Sequence, residues 1–109
     1  MENLTRVLKL QGRRHGDVTV RISWPHQEKS SWFCRWQIDW PDRKRSNVGG
    51  GVDAIQAMMH ALEMVGTEIY CSDEHTAGEL IWDDSWTGYG FPVAPNIRDR
   101  LVGDDKQIG

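Results

Sequence analysis

At 109 residues the chain has room for one hydrophobic core and not for two ordinary domains. A hydrophobic share of 39% with 27% charged residues excludes a disordered chain, and a formal net charge of -3 argues against bulk attraction to nucleic acid. The charge is uneven: residues 1–45 hold ten Lys or Arg against five Asp or Glu (+5), and residues 46–109 hold three against eleven (-8), which returns the total of -3. The preferred reading is that a basic β-rich half and an acidic half attract each other when packed. The alternative is a dipolar surface that steers a charged partner.

Leu4 to Leu10 reads as a first strand, with Leu4, Leu8 and Leu10 on one face and Arg6 interrupting it. A turn follows over residues 11–16, two glycines bracketing Arg13, Arg14 and His15. Asp17 to Trp24 alternates cleanly, with Val18, Val20, Ile22 and Trp24 on one side, until Pro25 stops it. His26 to Ser30 reads as a polar loop. Ser31 to Trp40 is the strongest strand pattern, placing Trp32, Cys34, Trp36, Ile38 and Trp40 on a face that must be covered. Pro41-Asp42 supplies a turn, and Lys44 to Val48 returns as a short fourth strand. Short connections between such segments describe an antiparallel meander.

Gly49-Gly50-Gly51 then leads into one long helix ending near Tyr70. Asp53 is the N-cap, and Gln56 three residues on completes a capping box. The apolar stripe is expected to comprise Ala54, Ile55, Met58, Met59, Leu62, Val65 and Ile69, lying across the tryptophan face of the sheet. Gly66 within the stripe suggests close approach to that sheet. Beyond the helix come a loop over residues 71–78, a short strand from Glu79 to Trp82, a turn carrying Trp86, and a further strand from Gly88 to Val93. Residues 1–95 are expected to form one domain. Residues 96–109 are expected to be a tail, with a helical turn over 96–102 and disorder beyond it. The fold class is α+β: a meander of four to five strands with one helix packed on one face.

The run Gly51-Val52-Asp53-Ala54-Ile55-Gln56-Ala57, the later Glu68-Ile69-Tyr70 and the closing Gly88-Tyr89-Gly90-Phe91-Pro92 resemble a family of small uncharacterised bacterial proteins, a domain of unknown function. The resemblance covers roughly residues 4–93. It implies a bacterial cytoplasmic protein and brings no catalytic residues with it.

Three patterns are candidates for chemistry. The glycines before a helix N-terminus resemble an anion site, but they lack the Lys-Ser/Thr of a P-loop and the dinucleotide spacing, and Asp53 would repel phosphate. The preferred reading is a tight connection. Asp73, Glu74, His75, Asp83 and Asp84, with Trp82, Trp86 and Tyr89, form an acidic rim with aromatic walls if the loop 71–78 and the turn 83–87 are neighbours. Its candidate binding residues are His75, Asp83, Asp84, Trp86 and Tyr89, suited to a cationic or sugar-like ligand or a basic protein surface. The bland reading is two solvated loops whose aromatics complete the core. Arg13, Arg14, Arg43, Lys44 and Arg45 form a basic patch if the two turns that carry them meet at one end of the sheet.

The four histidines lack metal-ligand spacing, and Cys34 and Cys71 make neither a metal motif nor a disulfide framework, so no metal and no cofactor is expected. The N-terminus lacks the pattern of a signal peptide, and no run of about 18 apolar residues is present to cross a membrane. The expectation is a cytoplasmic, non-enzymatic protein-interaction module, adaptor- or immunity-like, engaging a protein partner or itself. The alternatives are a small-molecule-binding protein or enzyme using the rim, and a weak nucleic-acid binder using the arginine turns.

Overall fold

Alternation of apolar and polar residues builds the sheet. The computed structural model describes residues 3–12 and 14–108. β1 (Asn3–Leu10), β2 (Gly16–Ser23), β4 (Ser31–Trp40) and β5 (Arg43–Gly51) form the expected antiparallel meander. Two short strands bring the sheet to six: β3 (His26–Glu28) and β6 (Leu80–Ile81), the latter on the outer edge of β1. The order across the sheet is β5, β4, then β2 and β3 sharing one edge of β4, then β1 and β6.

The stretch read as a loop at residues 26–30 is thus largely strand. Ile22 lies opposite Trp36 and His26 opposite Phe33, so four steps along this edge match three along β4. One extra residue is accommodated at Ser23-Trp24-Pro25, as in a β-bulge. The bulge breaks the alternation: Ser23 is buried, its hydroxyl accepts the Arg35 amide at 3.0 Å, and Trp24 is left 54% exposed instead of joining the core.

The helix α1 (Ala54–Tyr70) starts as the sequence dictates. Asp53 accepts the Gln56 amide at 2.8 Å, and the Gln56 side chain reaches back to the Val52 amide at 2.8 Å. Its buried face is the expected stripe only in part: Val65 and Ile69 are buried as expected, and Met58 and Leu62 pack half-buried against the core. Ala57, Ala61, Val65, Gly66, Ile69 and Tyr70 are buried, while Ile55 is 71% and Met59 57% exposed. The reason lies in β5. A Cβ on Gly49 would stand 2.5 Å from the Ala61 amide nitrogen, and one on Gly51 2.5 Å from that of Ala57. The helix backbone rests directly on a glycine-paved strand, so the residues between them must be small. Ile55 and Met59 are left facing outward. Gly66 also serves a different neighbour than expected: it abuts the Pro92 carbonyl of the C-terminal segment, not the sheet.

Asp73–Thr76 is a short helical turn, α2, capped by Ser72. Residues 88–94 carry no strand. They run over the apolar face, burying Tyr89, Phe91 and Val93 against Leu8, Val18, Val20 and Ile38 of one common core. In the segment expected as a tail, 3-10 turns span Pro95–Arg100 and Gly103–Gln107, and Leu101 and Asp105 are buried.

Candidate functional site

The five candidate binding residues of the acidic rim divide into two groups. Asp83 and Asp84 lie in an exposed turn. The Asp83 carboxylate accepts the Ser85 hydroxyl at 2.6 Å and the Ser85 amide at 2.8 Å, which together hold its pKa below the usual carboxylate value. His75, Trp86 and Tyr89 turn inward, toward a residue that the sequence did not mark. Asp105 is fully buried and accepts the Tyr70 hydroxyl, the Trp86 indole N–H at 2.7 Å, and the amides of Tyr89 and Gly90, each at 2.8 Å. Gly88, at φ 111°, gives the carboxylate its space, since a Cβ there would run into it. Tyr70 also accepts the Val102 amide at 3.2 Å.

This constellation is a closed hub rather than an open cleft. Burial, followed by the charge of Asp105, pushes the Tyr89 hydroxyl up to about 12, and burial with the Asp105 hydrogen bond drives Tyr70 higher still. Burial first, and Arg100 second, lower the His75 pKa, with Asp105 opposing them. His75 Nδ1 and the Tyr89 hydroxyl share a hydrogen bond. Arg6, which interrupts the apolar face of β1, also belongs to this region. It donates to the carbonyls of Tyr89 and Gly90 at 3.0 Å, and its guanidinium stacks 3.8 Å over the Trp82 ring.

The basic turns do meet at one end of the sheet, where they converge on a carboxylate. Glu74 is buried and accepts two bonds from Arg43, at 2.8 and 3.2 Å, while Arg14 approaches it at 3.6 Å. The Arg43 guanidinium, which also covers the Trp40 ring, holds the Glu74 pKa below its usual value. Arg45 is paired with Glu68 at 2.9 Å. Lys44 is exposed, and Arg13 lies outside the described residues. Three of the four described members of the patch therefore face carboxylates.

A groove of about 1000 Å³ runs between β5 and α1, apart from the five candidate residues of the acidic rim, and its wall includes Arg43 and Arg45 of the basic turns. On its helical wall His60, Glu63, Met64, Thr67, Glu68 and Cys71 recur at helical spacing. The opposite wall is the edge of β5, which among the described residues pairs with β4 on one side only. Strand main-chain groups point alternately to the two edges. Asn47 Oδ1 accepts the Val48 amide at 2.9 Å, and His60 Nδ1–H donates to the Gly50 carbonyl at 2.6 Å, so the even-numbered residues Lys44, Ser46, Val48 and Gly50 face the free edge. Among the described residues no hydrogen bond reaches the amides of Lys44 and Ser46 there.

Among the described residues, no group of three or more His, Cys, Asp or Glu is placed to hold a metal ion, and no helix is long and apolar enough to cross a membrane. Cys34 is buried and Cys71 exposed, both as free thiols.

Comparison with known families places the chain: over residues 4–93 it matches, and belongs to, a family described as a domain of unknown function, DUF6968. The matched span ends at Val93, so Asp105 and the segment that carries it lie beyond it. No curated protein and no solved structure matches the chain.

Proposed function

We propose that this protein is a non-enzymatic protein-interaction module that takes an extended segment of a partner by strand addition along β5. The observation that carries this reading is the one-sided pairing of a nine-residue strand beside an open groove. An unpaired strand edge is a template for another backbone, with main-chain hydrogen bonds supplying affinity and alternate side chains supplying selectivity. The enclosure of His75, Trp86 and Tyr89 around Asp105 supports a structural role for those residues, and the pairing of Arg14, Arg43 and Arg45 lowers their value to a nucleic-acid phosphate. Two free thiols support a reducing, cytoplasmic setting, and the sequence resemblance supports a bacterial one.

The test is selection from a random peptide display library, with the wild type and Ser46→Pro as parallel baits. Proline on an edge strand is compatible with the fold when the lost amide points outward. Peptides retained by the wild type and lost on Ser46→Pro are expected, with hydrogen-exchange protection of the Lys44 and Ser46 amides on binding. Failure of any peptide to enrich would overturn the reading.

A further inference from the structure

We infer that the segment taken at the β5 edge is basic: an extended stretch of a partner protein carrying Lys or Arg at alternate positions. The inference rests on the strand-addition reading and names the chemistry of the occupant. It comes from the charges of the groove.

Two guanidinium groups, Arg43 and Arg45, line it, and both are already committed to carboxylates, Arg43 to Glu74 and Asp42 and Arg45 to Glu68. Glu63 and Asp73 also line it, and among the described residues neither makes an ion pair. The groove lining therefore holds four carboxylates, Asp42, Glu63, Glu68 and Asp73, against two guanidinium groups. An acidic segment would bring like charge against Glu63 and Asp73, and a basic one gives each of them a partner.

The geometry sets the length and the spacing. From His60 to Cys71 the helical wall runs about 16 Å, at the rise of an α-helix. That accommodates about five extended residues. Successive side chains of an added strand point to opposite faces of the sheet, so every second one enters the groove on the α1 side. The main-chain partners are the outward groups of Lys44 and Ser46. At the floor, Trp36 is almost fully buried, and its indole N–H has no acceptor among the described residues.

The charge of the groove and the openness of the edge are independent observations, so they are tested separately. Three blocked hexapeptides of alternating composition serve as probes: lysine-valine, glutamate-valine and serine-valine. Their affinities are measured by titration calorimetry at low and at physiological salt. The lysine-valine peptide is expected to bind about tenfold more tightly than the glutamate-valine one, with the difference shrinking as salt rises. Glu63→Gln combined with Asp73→Asn should remove most of that difference while leaving thermal stability unchanged. Ser46→Pro should abolish binding of all three.

If all three peptides bind equally and Ser46→Pro abolishes the binding, strand addition stands and the basic preference is overturned. If none binds, both are overturned. A wild-type dimer by sedimentation that Ser46→Pro converts to a monomer would show that a second copy occupies the edge, which also overturns the proposal.

Discussion

The indole N–H of Trp86 donates to the Asp105 carboxylate across 2.7 Å, joining the turn after β6 to the last turn of the chain. Asp105 also receives the Tyr70 hydroxyl at the end of α1. One buried carboxylate thus ties the helix, the loop and the terminus together. Asp105→Ala strands four donors in a buried site, and at 1–3 kcal/mol for each unsatisfied group, softened by relaxation, the expected loss is about 3 kcal/mol or more. Urea denaturation measures it. A loss under about 1 kcal/mol would show that the hub relaxes freely or admits water.

The three glycines of β5 should differ sharply. Gly49→Ala and Gly51→Ala each drive a methyl group into the backbone of α1, at an expected cost of about 2–3 kcal/mol for overpacking. A Cβ on Gly50 meets nothing closer than 3.9 Å, so Gly50→Ala should be close to neutral. Equal losses at all three positions, measured by thermal melts, would refute backbone contact as the cause.

Arg43→Met removes the two bonds that neutralise Glu74 in its buried position, and breaking such a pair costs about 3 kcal/mol. The sign of the pH effect follows from the lowered pKa of Glu74. In the wild type the contribution is fully present above the unfolded value of 4.5 and is lost as pH falls through the lower folded value. The gap between Arg43→Met and the wild type should therefore be widest at neutral pH and close at acid pH. A constant gap from pH 7 to pH 3 would refute the assignment.

His75 gives a second pH signature. Its folded pKa is lowered, so its contribution is complete above the ordinary value of 6.5 and declines as pH falls through the folded value, where the unfolded chain takes up the proton more readily. The wild type should melt at lower temperature at pH 5.5 than at pH 7.5. His75→Gln should narrow that difference, and an unchanged difference would exclude His75 as its source.

The exposed flank of α1 should tolerate charge. Ile55→Glu replaces a side chain that is mostly in water and puts a carboxylate in the first helical turn, where the helix dipole favours it by a few tenths of a kcal/mol. Denaturation should show stability equal to or slightly above the wild type. A loss of 2 kcal/mol or more, the range for removing a core side chain, would contradict the placement of this residue.

The α+β class, the four-strand meander, the Asp53 cap and the Trp36-Ile38-Trp40 face were all legible in the chain, because each depends on neighbours within a few residues. Three features were not. The outward rotation of Ile55 and Met59 was hidden because hydrophobicity alone says large apolar residues go inward, and only the glycines of β5 make small residues the better fit. The strand at His26–Glu28 was hidden because its residues are polar, and its pairing with β4 depends on the bulge at Trp24. Asp105 sits among glycine and charged residues with no periodicity, so nothing local marks it as buried.

By itself, then, the sequence determined the local structure: where strands alternate, where the helix begins, and which face of β4 must be covered. Tertiary structure decided which side of α1 meets the sheet, which of the aromatic and acidic residues close on one another, and which strand keeps a free edge. Periodicity specifies that a face will be buried, but steric fit between two backbones chooses the face. A free edge is a property of the sheet's pairing order, which no residue on β5 encodes alone.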